Sequence, residues 1–398
     1  MKIDKNAPTA AWIRTLRHAY RCEREVDRVL TRKLERRAGP GYVPVPLDGL
    51  MQGVESLLRS RIGGDFRIRD AQWMTGGASK LQVAFRLEWD APGVGATVTP
   101  MVLRMEPAAS IVETSRRREY QLIRALEGHV PVPKAYWVDA EAEFLPYPAI
   151  VCGFVDGVTR PSDGAAGVSG VGTTFDPRVR ERLAEEFVRC MAAMHTFDWR
   201  SAAMDTFDAP AVGTTEAAEW QVGWWQRVWE EDAHEDVPLL RLAIAWLRQN
   251  LPVLDHVSVV PGDYRTGNFL YDEATCRITA VLDWETGHLG DRHEDLVYMT
   301  NAPYKQLLDD GKTYMLGGLM TEPALYEAYE RISGLPVDPA KLKFYKVLNV
   351  LKVVAVVLAS GYRGARCRKT HQDVVLAWVM GFAPVILNDL RQTLDEVM

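Results

Sequence analysis

The chain has 398 residues, of which 47% are hydrophobic and 25% are charged. This composition excludes a disordered, collagen-like or coiled-coil protein, and the length predicts more than one lobe. The net charge of −6 gives no general attraction to nucleic acid or to an anionic membrane, so we expect neither as a partner. Five scattered cysteines without a C-x-x-C pair favour a reducing, cytoplasmic location.

The N-terminus is basic, whereas the remainder of the chain is acidic. Residues 1–38 hold 11 Lys and Arg against 5 Asp and Glu, and the rest holds 36 against 48. Apolar residues near helical spacing predict one helix over 10–37, and the segment has no apolar signal-peptide core. Because this helix has an apolar stripe, we expect it to pack on the acidic body or to form a homodimer.

The remaining pattern predicts a sheet-rich half followed by a helical half. We expect a helix at 47–60, three strands at 66–73, 81–89 and 97–105, a helix at 114–127, and strands at 135–138 and 149–154. Further helices are predicted at 177–196, 215–231, 238–251, 321–333, 341–361 and 372–395. The predicted organisation is α+β, with a helical extension (1–62), a small antiparallel-sheet N-lobe (63–156) and a larger helical C-lobe (157–398).

A strand-rich island at 257–284 carries the most informative polar residues. Asp263 and Asn268 lie five residues apart in a loop, and Asp283 follows at the end of the next apolar run. In phosphoryl transfer one carboxylate receives the acceptor hydroxyl, while an Asn and a second Asp hold magnesium. Arg265 is placed to offset charge on the transferring phosphate. The alternative is a β-hairpin whose Asp, Gly and Asn are only turn residues.

Residues of the sheet-rich half complete this chemistry in order along the chain. Gly76, Gly77 and Ser79 lie in a turn whose backbone N–H groups are suited to cover phosphates. Arg104 ends a strand where a cation would meet the α- and β-phosphates, and Glu119 on the next helix is spaced to pair with it. Each residue alone is more often a turn residue or a solvated charge.

With these motifs in place, the sequence resembles the aminoglycoside phosphotransferase and choline-kinase-like group of small-molecule kinases. More narrowly, it is similar to the kinase domains of acyl-CoA dehydrogenase fusion proteins. The resemblance covers about residues 65–380 and is carried by segments such as MTGGASK, GDYRTGNFLYD and AVLDWETGHLGDRHEDL. It implies a bilobal protein-kinase-like fold.

The resemblance also implies roles for individual residues. Asp263 matches the catalytic base, Asn268 and Asp283 match the magnesium ligands, and Arg104 stands where many kinases have Lys. The implied reaction is an ATP- and Mg²⁺-dependent transfer of the γ-phosphate to a hydroxyl of a small-molecule acceptor.

Two further segments match structural parts of the family. Gly153, Phe154 and Val155 match the hinge whose backbone contacts adenine. Asp291 and Asp295 match a segment that supports the catalytic loop.

One departure from the family pattern concerns the residue before the catalytic turn. The family has His-Gly-Asp, whereas this chain has Pro261-Gly262-Asp263. The family's His braces the loop, and proline stiffens the chain but provides no side-chain hydrogen bond. Arg104 is likewise not equivalent to Lys. These two residues motivate the alternative of a catalytically impaired, pseudokinase-like nucleotide-binding or regulatory module.

Two other patterns have competing interpretations. Four tryptophans, Trp220, Trp224, Trp225 and Trp229, recur on one predicted helix, either as core residues or as an apolar wall for a less polar acceptor. His288 and His293 motivate a third hypothesis, a metallohydrolase, although their spacing is not that of a zinc helix. His195 is interpreted as a packing residue.

Overall fold

The computed structural model describes residues 4–74, 80–162, 170–308, 310–367, 370–371 and 373–398. Its α-helices are α1 (Ala10–Ala19), α2 (Arg24–Glu35), α3 (Leu47–Arg61), α4 (Arg116–Leu126), α5 (Pro177–His195), α6 (Glu216–Asp232), α7 (Pro238–Gln249), α8 (His293–Leu296), α9 (Glu322–Ser333), α10 (Pro339–Val354), α11 (Tyr362–Cys367), α12 (Asp373–Val379) and α13 (Ala383–Val397). Its strands are β1 (Phe66–Trp73), β2 (Leu81–Ala91), β3 (Gly95–Met105), β4 (Ala135–Asp139), β5 (Ala149–Gly153), β6 (Ser258–Val260), β7 (Phe269–Asp272), β8 (Arg277–Val281), β9 (His288–Gly290), β10 (Lys305–Leu307) and β11 (Tyr314–Leu316).

The first five strands form one antiparallel sheet in the order β1-β2-β3-β5-β4. Strand β2 alternates buried and more exposed residues along its length, as expected for a strand with one face on a core. Helix α3 covers that face with Leu50, Val54, Leu57 and Leu58, all fully buried. The predicted strands and the helix at 47–60 therefore form where the apolar periodicity indicated.

The second half is helical around a separate, larger core. Helix α10 is buried on nearly all sides over its second half, which explains why residues 347–354 are apolar apart from Asn349 and Lys352. It continues into a π-helical segment at Ala355–Gly361. The boundaries of the predicted domains stay predictions.

Two small strand pairs lie within the helical half and carry the polar island. Strand β6 pairs with β9, and β7 pairs with β8 in an antiparallel hairpin. The loop at 261–268 therefore begins at one strand pair and ends at the other, which fixes both of its ends.

The N-terminal prediction of one helix over 10–37 is wrong. The chain breaks between α1 and α2, where the backbone at Arg21 lies against α6; a Cβ on Gly223 would be 1.8 Å from the Arg21 carbonyl oxygen. After the break, Glu23 is buried and pairs with Arg118 of α4. Tertiary contacts override the helical periodicity at 20–23, and the arm (residues 10–35) packs on its own chain; a homodimer stays a prediction.

The C-terminal helical run combines length with apolar composition. Residues Val374–Val397 are long and apolar enough to cross a membrane by those two criteria alone. In this structure Ile386, Leu390 and Leu394 are buried, and α13 packs against α7 and α10. Only 22% of the most apolar window of this run is buried, so packing on the helical core covers a minor part of it.

Candidate active site

The loop between β6 and β7 is held by hydrogen bonds from three directions. The Gly262 N–H donates to Asp295 Oδ1 (3.0 Å), and Thr286 Oγ1 donates to the Pro261 carbonyl (2.9 Å). Asn268 Nδ2 donates to the Asp263 carbonyl (2.8 Å), which closes the loop on itself. These bonds fix the backbone on both sides of the predicted catalytic carboxylate.

The Asp263 carboxylate is paired with a cation within its own loop. Arg265 Nε lies 2.9 Å from Asp263 Oδ1. Burial raises the pKa of Asp263, and the negative charge of Asp283 raises it further. The positive charges of Arg265 and Lys352 and a hydrogen bond with Tyr298 oppose this rise. A carboxylate in such surroundings is better suited to accept a proton than a solvated aspartate.

Asp283 lies two residues after the end of strand β8 and close to Asn268. The Leu282 N–H donates to the Asn268 carbonyl (2.8 Å), which brings the two predicted metal ligands to neighbouring positions across the hairpin. Asp283 has φ of +64°, a left-handed conformation that is uncommon for residues other than glycine. Such strained positions persist where surrounding structure holds them, and they concentrate at functional sites.

Arg104 joins the sheet to the hairpin. Its guanidinium lies 3.2 Å from Asp283 Oδ1 and 3.4 Å from Glu119 Oε1. Glu119 is fully buried on α4 and also pairs with Arg116. The sequence-predicted pairing of Arg104 with Glu119 is therefore present, and it extends to Asp283.

The predicted nucleotide contacts are placed only in part. Gly76, Gly77 and Ser79 lie outside the described residues. At the end of β5, the Gly153 N–H donates to the Lys134 carbonyl (2.8 Å) and the Phe154 N–H donates to the Pro100 carbonyl (2.9 Å). With those two donors engaged, adenine recognition through this segment would depend on Val155 and on carbonyl oxygens.

The donor set fits magnesium better than zinc. Asn268 and Asp283 offer an amide oxygen and a carboxylate, the hard oxygen ligands that magnesium prefers alongside phosphate and water. Among the described residues, no group of three or more His, Cys, Asp or Glu side chains is arranged to hold a metal ion. Asn268 and Asp283 would therefore supply two ligands, and the phosphate chain of a nucleotide and water would supply the others.

The histidine-based hypothesis of a metallohydrolase is not supported. His293 Nδ1 lies 2.5 Å from Asp291 Oδ1, and His293 Nε2 accepts from the Asp338 N–H (2.9 Å). His288 contacts the Thr286 carbonyl and Glu294 instead. The two rings have separate structural partners.

The interpretation of the tryptophan helix as an acceptor wall is wrong for Trp225. Its side chain is 0% exposed and stacks on Trp224, with ring centroids 4.9 Å apart. Trp229 is also buried. These residues form part of the helical core, so they cannot contact an acceptor.

Sequence reasoning missed a buried charge cluster behind the site. Lys80 Nζ lies 2.8 Å from Glu106 and 3.0 Å from Glu285, and Arg116 Nε lies 2.8 Å from Glu106. Burial raises the pKa of Glu285 to about 7, with Lys80 opposing and Asp283 adding to the rise. The one available signal was Glu285, two residues after Asp283; nothing in the spacing linked it to Lys80.

His195 is also more than a packing residue. It is fully buried, with Nδ1 2.9 Å from the Tyr329 hydroxyl and Nε2 3.1 Å from Asp295 Oδ2. Asp295 also accepts a hydrogen bond from the Gly262 N–H, so the imidazole supports the loop at 261–268 indirectly, through Asp295. The predicted supporting role of Asp295 is visible in this chain of contacts.

Comparison with known proteins places this arrangement in a family. The sequence model of the phosphotransferase enzyme family (APH) matches residues 76–345 of this chain. Acyl-CoA dehydrogenase family member 11 of Rattus norvegicus is 28% identical over 307 residues, which cover 74% of this chain and 38% of the relative. The chain spans about a third of the length of the curated relatives it matches.

Solved structures show the same fold. A provisionally assigned aminoglycoside phosphotransferase of Ralstonia eutropha superposes with a TM-score of 0.60 at 22% identity, covering 86% of this chain and 98% of that one. APH(2")-IIIa in complex with GDP and kanamycin superposes with a TM-score of 0.53 at 16% identity, covering 85% and 98%. The predicted α+β, protein-kinase-like fold is confirmed, and so is the resemblance to kinase domains of acyl-CoA dehydrogenase proteins.

Proposed function

This chain belongs to the phosphotransferase enzyme family, and from that premise we propose that it is a small-molecule kinase. It transfers the γ-phosphate of ATP to a hydroxyl of a small-molecule acceptor in a magnesium-dependent reaction. The observation that carries this proposal is the convergence of Asp263, Arg265, Asn268 and Asp283 where the loop at 261–268 meets the two ends of the β7–β8 hairpin, joined to Arg104 of the sheet. Nucleotide binding by APH(2")-IIIa, which has this fold, supports a nucleotide as donor.

Asp263 acts as the base in this proposal. The acceptor oxygen forms a bond to the γ-phosphorus while the bond to the bridging oxygen of ADP breaks, and the acceptor's proton passes to the Asp263 carboxylate. Arg265, which lies 2.9 Å from that carboxylate, orients it and offsets negative charge on the transferring group.

Asn268 and Asp283 would hold magnesium, which when bound neutralises charge on the phosphate chain. Arg104 lies between Asp283 and Glu119 and in this proposal would contact the α- and β-phosphates. Its buried partner Glu119 fixes the direction of the guanidinium before the nucleotide arrives.

An aromatic surface beside Asp263 supports a less polar acceptor. Tyr298 and Tyr304 stack with their centroids 5.7 Å apart, and the Arg265 guanidinium lies 5.0 Å from the Tyr304 centroid. Tyr298 is itself buried, so of this pair it is the partly exposed Tyr304 that offers apolar surface to an acceptor. Its ring favours a hydroxylated acceptor with hydrocarbon close to its hydroxyl, and it replaces the buried Trp225 as the candidate acceptor contact.

The test is turnover of Mg-ATP across a panel of hydroxylated metabolites. Wild-type protein should release ADP with at least one acceptor, and Asp263→Asn should reduce that rate by about 10³-fold. Asp272→Asn is the matched control, because this exposed carboxylate lies in the same hairpin and contacts Thr275. Thermal stabilisation by Mg-ATP without turnover on any acceptor would favour the regulatory module instead.

A further inference from the structure

A lysine from a distant helix reaches the catalytic loop. Lys352 is the charged residue that interrupts the apolar sequence 347–358 of α10 and the π-helical segment. Its side chain is buried, with the residue 4% exposed, and its ammonium group donates to the Gly262 carbonyl. The sequence alone gave no reason to connect it with Asp263.

The ammonium group has a complete set of partners at this position. It lies 3.1 Å from Glu294 Oε1, and it faces the rings of Trp225 and Tyr298 at 5.3 Å and 5.1 Å from their centroids. A buried ammonium is destabilising unless it is paired and hydrogen-bonded. The carboxylate and the ring faces therefore stabilise Lys352 within the apolar sequence 347–358 and direct it at the loop.

The loop has a specific need for this contact. Gly262 has φ of +76°, and a Cβ there would be 3.0 Å from Thr286 Oγ1 and 3.3 Å from Lys352 Nζ. Pro261 contributes no side-chain donor, so the turn is fixed through backbone atoms. Lys352 supplies the charged donor to the carbonyl that immediately precedes Asp263, and hydrogen bonds from charged groups are the stronger ones.

We propose that Lys352 is a positioning residue that holds the Pro261–Gly262–Asp263 turn so that the Asp263 carboxylate meets the acceptor hydroxyl. It acts through the Gly262 carbonyl and touches neither nucleotide nor acceptor. The kinetic part of this inference rests on the proposed function, whereas the structural part concerns the loop itself.

The test compares Lys352→Met with Lys352→Arg by amide hydrogen exchange and by kinetics. Lys352→Met keeps the length of the side chain but removes the donor, so exchange at 261–270 should rise by about tenfold. The kcat should fall by about 100-fold, while the KM for Mg-ATP stays within about threefold. Lys352→Arg restores a cationic donor and should recover most of the loss in both readouts.

Lys341→Met is the matched control. Lys341 lies on the same helix, is also buried and pairs with Asp255 and Asp291, but it does not contact the loop at 261–268. It should lower thermal stability without accelerating exchange at 261–270. This comparison separates loss of a buried lysine from loss of the contact with Gly262.

The outcomes distinguish this inference from the proposed function. A folded Lys352→Met protein with wild-type exchange at 261–270 would overturn the positioning role, whatever its turnover. If wild-type protein turns over no acceptor, the proposed function fails, and the exchange comparison still decides the role of Lys352. If Lys352→Met does not fold, Lys352→Gln replaces it: the amide is uncharged and one atom shorter than the lysine side chain, so exchange at 261–270 should still rise, and wild-type exchange would overturn the positioning role.

Discussion

The loop at 261–268 and the N-terminal arm are both held by buried polar contacts, yet they differ in how far apart along the chain the partners lie. In the loop, the Asp263 carboxylate pairs with Arg265 two residues away, and the Asp263 carbonyl accepts from Asn268 five residues away. In the arm, Lys33 pairs with Asp232, 199 positions away, and Glu23 pairs with Arg118, 95 positions away.

A phosphoryl-transfer site can therefore be recognised from the spacing of nearby residues, whereas the packing of the arm cannot be recognised from the local sequence. A phosphoryl-transfer loop needs particular side chains within a few ångströms, so their spacing along the chain is constrained. The arm needs only complementary charge at its contact surface. It also touches the active-site framework, because Glu25 bonds to Ser115, the N-cap of the helix that carries Glu119.

The largest expected effect concerns the anchor of the arm. Asp232 is buried and pairs with Lys33 and Arg37, and also with Arg363 near the C-terminus of the chain. Asp232→Asn takes the carboxylate from Arg37 and Arg363 and leaves Lys33 with Glu231 alone, so the free energy of unfolding should fall by about 3–5 kcal/mol in urea titration. Asp236→Asn, which removes an exposed partner of Arg241, should change it by less than about 1 kcal/mol. Equal effects of the two variants would mean that the arm is not anchored at Asp232.

The same anchor should make the arm sensitive to acid. Burial alone would raise the pKa of Asp232, but Lys33 and Arg37 outweigh it and hold that pKa well below its usual range. Because the folded pKa is depressed, the stabilisation is present above the unfolded value of about 4 and is lost as pH falls below it. Urea titrations from pH 6 to pH 3 should show a steeper loss in wild type than in Asp232→Asn. Parallel curves would contradict this assignment.

The next effect concerns the turn at 261–263 and is expected mainly in turnover rather than in the free energy of unfolding. Gly262→Ala places a Cβ 3.0 Å from Thr286 Oγ1 at a residue with φ of +76°. The turn must shift, so kcat should fall by about 100-fold. Gly311→Ala has a similar φ of +66° with nothing within 4 Å, so it controls for backbone strain alone and should leave kcat unchanged. Equal kinetics for both variants would show that the turn tolerates displacement.

The smallest effect is expected where the arm crosses α6. Gly223→Ala puts a Cβ 1.8 Å from the Arg21 carbonyl, so the arm must move away and should be cleaved faster in limited proteolysis. The unfolding free energy should fall by about 1–3 kcal/mol. Gly49→Ala in α3, where nothing lies within 4 Å, should instead be neutral or stabilising. Wild-type cleavage of Gly223→Ala would mean that the arm is not docked at Arg21.

Much of the fold followed from local patterns in the sequence. The strands at 66–73 and 149–153 and the helix at 47–61 form where apolar periodicity indicated them. Asp263, Asn268 and Asp283 stand out in the sequence because a magnesium–phosphate site would constrain their spacing; the structure brings them together, and their roles stay predictions. In each case the information lies within about 20 residues.

What could not be predicted depends on pairs that are distant in sequence. The break at 20–23 results from the approach of α6, and the contact of Lys352 with Gly262 joins residues 90 positions apart. Trp225 looked like a candidate acceptor contact because aromatic residues serve both cores and binding sites. In the structure Trp225 is fully buried beneath Lys352, which identifies it as a core residue.

The most direct test of the central claim follows the γ-phosphoryl group itself. With ATP labelled by ¹⁸O in the γ-position, mass spectrometry should find a phosphorylated acceptor that carries the three non-bridging labelled oxygens, with the acceptor's own oxygen as the bridge. Asp263→Asn should form this product about 10³-fold more slowly. Label found only in inorganic phosphate, at equal rates in wild type and Asp263→Asn, would contradict phosphoryl transfer at this site.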